Sequence, residues 1–190
     1  MQKDSETLEV RRSFGLLFIA VSIAIVAGTV MSEVAFVNRA PLYYYAIIWF
    51  VSFGVSFGTI FRKFHNSISS IQSRMKDSIK WPAKAKAING MCWATPFALI
   101  PLFPYSYQFL ILLGIGLGNF STYLLMKKYS STASQEQMIV GLISLVAIPV
   151  AVGVDMTLFV ARHDIGVMLS RILISVAYGT GGVYALISKE

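Results

Sequence analysis

Five titratable side chains crowd the stretch between positions 155 and 171: Asp155, Arg162, His163, Asp164 and Arg171. Two carboxylates, two guanidinium groups and an imidazole can act in one of two ways. They can neutralise one another in an ion-pair network that caps two helices, or they can line a polar vestibule that binds an ion or a small solute. Asp164 and Arg171 are seven positions apart, two turns of helix, so the spacing places them on one face. Asp155 comes up opposite them from the preceding helix. Asn119 is a sixth candidate, alone in an apolar run, where either an interhelical hydrogen bond or a place on an ion pathway would account for it.

Catalysis finds little to work with. The two histidines, His65 and His163, are predicted on opposite sides of a membrane, so they cannot share a metal or haem. H-E-x-x-H, G-x-S-x-G and Walker-type loops are missing from the sequence. Gly114-Ile-Gly-Leu-Gly lacks the strand before it that a dinucleotide site requires. Intramembrane proteolysis needs two embedded aspartates, and Asp155 is the one candidate. No cofactor and no metal are expected. The lone cysteine, Cys92, reads as a small packing residue.

The elements that position these residues are set by composition. Apolar residues make up 56% of the 190 and charged residues 13%, about half the charge of a soluble domain. Several apolar runs reach the ~18 residues of a transmembrane helix. The sequence predicts an all-α polytopic membrane protein, a bundle of six transmembrane helices over about 14–34, 42–61, 83–103, 107–126, 138–160 and 165–188. All six form a single integral membrane domain. The first run is too long for a signal peptide and has no A-x-A-like site after it, so it reads as a retained helix. The third has an apolar part of only 16 residues, Ile88 to Phe103, and contains Pro96 and Pro101. It is expected to kink and to borrow length from the snorkelling Lys84 and Lys86.

Between helices two and three lies a cytoplasmic basic segment, 62–82. Arg62, Lys63, Arg74, Lys76, Lys80, Lys84 and Lys86 fall in or just after it, with Asp77 the one acid, so this stretch holds nearly all of the chain's net charge of +7. Phe64, Ile68, Ile71, Met75 and Ile79 recur at helical spacing, which predicts an amphipathic cationic helix. Three roles fit it: a topology determinant resting on anionic lipid headgroups, a docking surface for a cytoplasmic partner, or nucleic-acid binding, which charge permits but no motif supports. The basic residues fall thirteen on one side and three on the other, which puts both termini in the cytoplasm of a cell-membrane protein.

Gly54-x-x-x-Gly58 and Gly114-x-x-x-Gly118 flatten two helix faces. Each fits either packing inside the bundle or contact with another copy or subunit. Glycines on helices two, four and six and prolines on three and five suggest three successive out-and-back hairpins. Two functions follow as expectations. One is a small transporter or permease-like unit, working as a homo-oligomer or with other membrane subunits. The other is a non-catalytic membrane subunit that anchors or scaffolds a larger complex. A polar cavity reaching Asn119 would favour the first; a filled apolar core with a flat apolar flank would favour the second.

Overall fold

The structure, a computed structural model, describes residues 2–63, 72, 76, 81–130, 134–157 and 162–188. These are all-helical, with no strand among the described residues. The helices are α1 (Gln2–Val37), α2 (Leu42–Lys63), α3 (Ala83–Leu99), α4 (Tyr107–Tyr129), α5 (Gln135–Thr157) and α6 (His163–Ile187), with a 3-10 turn at Pro104–Ser106 before α4. Among the described residues, five segments are long and apolar enough to cross a membrane: Leu8–Val37, Leu42–Ile60, Pro104–Tyr129, Gln135–Thr157 and His163–Ile187. The sixth helix, α3, has 17 residues, about 25 Å at 1.5 Å per residue. The apolar face expected at Phe64, Ile68, Ile71, Met75 and Ile79 lies outside the described residues, as do Arg74 and Lys80.

Local chemistry explains where the helices begin and end. α1 starts twelve residues earlier than its apolar run, because nothing between Gln2 and Ser13 breaks a helix. It closes in a Schellman turn: Ala40 N–H bonds to Ala35 O at 2.9 Å and Arg39 N–H to Phe36 O at 3.0 Å. Arg39 holds the left-handed conformation, φ 52, that glycine usually supplies there. α3 ends earlier than expected. Pro101 has no N–H to return to Phe97, so the chain continues irregularly, with Leu102 and Phe103 both donating to Leu99 O at 3.0 Å. α5 starts three residues earlier than its apolar run. The chain turns into the helix at Ser134, whose Oγ donates to Gln137 Oε1 at 2.5 Å while its carbonyl accepts from the Gln137 backbone N–H at 3.0 Å.

Consecutive helices pair as α1–α2, α3–α4 and α5–α6, and the pairs join through α1–α6 and α4–α5. α2 rests mainly on α1 and α3 mainly on α4. The core is built from Phe14, Phe18 and Ile25 of α1, Leu112 and Ile115 of α4, Val140, Ala147 and Ala151 of α5, and Ile174 and Ala177 of α6.

Glycines set the closest approaches. On α6, a Cβ at Gly182 would meet Gly15 O at 2.9 Å, and one at Gly179 would meet Ser22 Oγ at 3.1 Å, so both face α1. Gly181 faces α5, 2.6 Å from Val140 by the same measure. One turn further along the seam, Ser22 and Ser175 exchange hydrogen bonds, each hydroxyl donating to the other's carbonyl at 2.9 and 3.1 Å. α4 is two-sided in the same way. Gly114 and Gly118 face α3, and Gly116 faces Leu145 of α5.

Candidate functional site

Three helices meet at a polar cluster at one end of the bundle. Asp155 closes the inner face of α5, His163 opens α6, and Gln108 lies one residue into α4. His163 Nδ1 stands 3.1 and 3.2 Å from the two Asp155 carboxylate oxygens, and His163 Nε2 is 3.4 Å from Gln108 Nε2. These contacts link α4, α5 and α6 in a single chain of polar side chains. Gly166 makes room for it. A Cβ there would lie 2.0 Å from Asp155 Oδ1. Gln108 is 2% exposed, and its Oε1 is buried without a hydrogen-bond partner.

The other predicted residues take separate places. Arg162 and Asp164 pair with each other, Nε to Oδ1 at 3.2 Å and Nη2 to Oδ2 at 3.0 Å. The bond to Asp164 raises the Arg162 guanidinium above its ordinary value. Two residues apart, they close this pair locally, so Asp164 does not reach along the helix to Arg171. The Arg171 guanidinium instead lies over the Trp49 ring of α2 at 5.6 Å, a cation–π contact. Trp49 itself lies against Gly28 of α1. The expected five-residue cluster is therefore a carboxylate–imidazole pair, a surface ion pair and a separate stacked arginine.

Asn119 is 2% exposed and turned inward. It donates to Ile115 O at 2.9 Å. Between it and the polar cluster lie Leu112, Ile115, Ala147, Ala151 and Ile174, all buried core residues. Ser170 of α6, fully buried and bonded to Gly166 O at 3.1 Å, lies among them.

The two glycine motifs diverge. Gly114 lies under the Phe97 ring, 2.7 Å from an added Cβ, and Gly118 lies under the Trp93 indole at 2.2 Å. Around Trp93, Asn89 Oδ1 accepts from Ser121 at 2.8 Å and Thr122 at 2.9 Å, and Trp93 Nε1 donates to Thr122 at 3.3 Å. Gly54 and Gly58 have nothing within 4 Å of an added Cβ. Phe50, Val51 and Val55 around them are exposed.

Of the basic residues, Arg62, Lys76, Lys84 and Lys86 are exposed, and Lys63 ends α2. At the same end of α1, Arg11 Nη2 reaches Gln135 Oε1 at 3.5 Å and its guanidinium lies 5.0 Å from the Tyr184 ring centre. Tyr184 also donates to Gln135. Beside Gln135, Glu136 is fully buried in the first turn of α5, where the helix dipole favours a negative charge.

Gln108, Glu136 and the fully buried Ser144 were not among the predicted site residues. The signal for them is spacing. Gln108, Leu112, Ile115 and Asn119 follow at 4, 3 and 4 along α4, and Glu136, Val140, Ser144, Ala147, Ala151 and Asp155 at 4, 4, 3, 4 and 4 along α5. Each series marks the buried face of its helix, polar members included. Among the described residues no three His, Cys, Asp or Glu side chains gather as a metal site. Compared with family models, curated proteins and solved structures, the chain matches none. What the fold defines is a class: an all-helical chain with five helices able to cross a membrane.

Proposed function

We propose that this protein is a six-span membrane bundle that anchors or scaffolds a larger membrane assembly and performs no chemistry of its own. In this reading α3 spans as the sixth helix, both termini and the basic stretch 62–82 lie in the cytoplasm, and the assembly sits in the cell membrane. The observation that carries the proposal is the filled core. Leu112, Val140, Ala151 and Ala177 are each 0% exposed, and Asn119 is bonded within the protein. The flat flank of α2 at Gly54 and Gly58 is the surface through which the subunit joins a second copy or another subunit.

A permease-like unit is the second reading. The buried, unpartnered Gln108 Oε1 beside the Asp155–His163 pair favours it, because such an acceptor suits a polar solute.

Cross-linking in native membranes tests the first reading. Val55→Cys in a Cys92→Ser background places a thiol on the exposed face of α2. A cysteine-to-cysteine or cysteine-to-amine linker should give one discrete larger species, lost with Gly58→Ile. Monomer alone at Val55 and at Phe50→Cys, together with solute uptake by vesicles holding the purified chain, would overturn it.

A further inference from the structure

We infer that the base of the α3–α4 hairpin is a binding site for the phosphate headgroup of an anionic phospholipid. The inference rests on the membrane reading above, and it names the lipid class and the residues.

The sequence between Trp81 and Gln135 holds four charged side chains, Lys84, Lys86, Lys127 and Lys128, and no acid. The fold gathers all four at one end of one hairpin. Lys84 and Lys86 stand in the first turn of α3, and Lys127 and Lys128 in the last turn of α4. The two helix ends are held together by Trp81, which is 4% exposed, packs with Ala85, Met126 and Leu125, and donates from Nε1 to Ser130 Oγ at 3.1 Å. All four lysines are exposed.

The two pairs differ electrostatically. Lys127 and Lys128 sit where a helix C-terminus favours cations, and their ammonium groups lie 6.0 Å from the Tyr123 ring centre and 5.3 Å from that of Tyr129. Lys84 and Lys86 sit where a helix N-terminus disfavours cations. That turn holds no acidic residue and no side-chain cap, since Pro82 occupies the cap position. The Ala83, Lys84 and Ala85 amides precede the first return bond, Lys86 N–H to Pro82 O at 3.1 Å. Positive charge is thus stacked on a positive helix end, and a phosphate monoanion is the group that relieves it. A tryptophan at the same level and tyrosines beneath the ammonium groups match the aromatic belt of a membrane interface, where phospholipid phosphates lie.

Native mass spectrometry of the full chain, titrated in detergent with phosphatidylglycerol or phosphatidylcholine, tests the site. Phosphatidylglycerol should stay bound to the wild type in preference to phosphatidylcholine. K84Q/K86Q/K127Q/K128Q should weaken it at least about tenfold, in line with the strength of basic side chains at an anionic surface. The four-arginine counterpart should retain it, which separates lost charge from lost fold. Equal retention of the two lipids, unchanged binding by the glutamine variant, or displacement by millimolar inorganic phosphate would overturn the proposal. Alkaline extraction of the same membranes reports separately on the underlying reading. Protein left in the pellet without lipid preference sinks the headgroup site alone, and protein released into the supernatant sinks the membrane reading as well.

Discussion

Glycine-to-alanine substitution at four positions, Gly54, Gly58, Gly114 and Gly118, separates glycines that hold the monomer together from those that face outward. At Gly118 the added methyl would fall 2.2 Å from Trp93 Cδ2 and 2.4 Å from Cε2, against 3.4–4 Å for ordinary contact. The indole must retreat by more than 1 Å, which takes Nε1 out of reach of Thr122, now 3.3 Å away. Overpacking of this kind costs about 1–3 kcal/mol, and an interhelical hydrogen bond in a membrane protein contributes about 0.6 kcal/mol. Alanine's higher helix propensity returns up to about 1 kcal/mol. Gly118→Ala should therefore lose about 1–3 kcal/mol net. Gly114→Ala, which meets the edge of the Phe97 ring at 2.7 Å, should lose less, because the ring can tilt and no hydrogen bond depends on it. Gly54→Ala and Gly58→Ala, facing open space, should be unchanged or up to about 1 kcal/mol more stable. Unfolding of the purified monomer in increasing dodecyl sulfate, followed by circular dichroism, measures all four. Equal losses at all four positions, or a Gly58→Ala loss as large as that at Gly118, would refute the assignment of the two motifs to different roles.

Two further outcomes follow from the polar cluster and the first turn of α5. Gly166→Ala drives a methyl into the Asp155 carboxylate and should cost about 1–3 kcal/mol through the lost His163 bond; it should add little on top of Asp155→Ala, and a double-mutant cycle showing simple additivity would count against the contact. Ser134→Ala removes the hydroxyl that donates to Gln137 Oε1 and should cost about 1 kcal/mol, seen as faster amide exchange in the first turn of α5 with α6 unaffected.

The helices themselves were legible, because long apolar runs leave few alternatives. Their ends were less so, since hydropathy is blind to hydrogen bonds. The first turn of α5, from Ser134 to Gln137, is polar, so it read as loop, and the polar start of α1 read as tail. The early end of α3 at Leu99 could have been taken from Pro101, but the apolar residues beyond it argued for a longer span. At the site, the closeness of Asp155 and His163 was readable from their places at facing helix ends. Arg171 was misplaced because a shared face with Asp164 says nothing about which helix that face meets, and its partner Trp49 is 122 positions away. Gln108 was placed in helix four but passed over, although its spacing to Asn119 put both on the buried face. The GxxxG motifs looked alike in sequence, and only the third dimension shows that one is covered by α3.

The seam between α1 and α6 has a consequence for how the chain is made. Ser22 and Ser175 are 153 residues apart, so a ribosome delivers one partner long before the other. During that interval Gly15, Ser22 and the backbone around them on α1 lack the helix that covers them in the finished fold. The α3–α4 hairpin can assemble from local contacts, but the bundle cannot close until α6 arrives and slides its glycines onto α1. Closing a loop that long is slow relative to pairing neighbours. The nascent protein therefore passes through a half-built stage that exposes the surface covered by the glycines of α6 in the finished molecule. Shortening the chain by its final helix would leave α1 permanently in that exposed state, a ready target for membrane quality control.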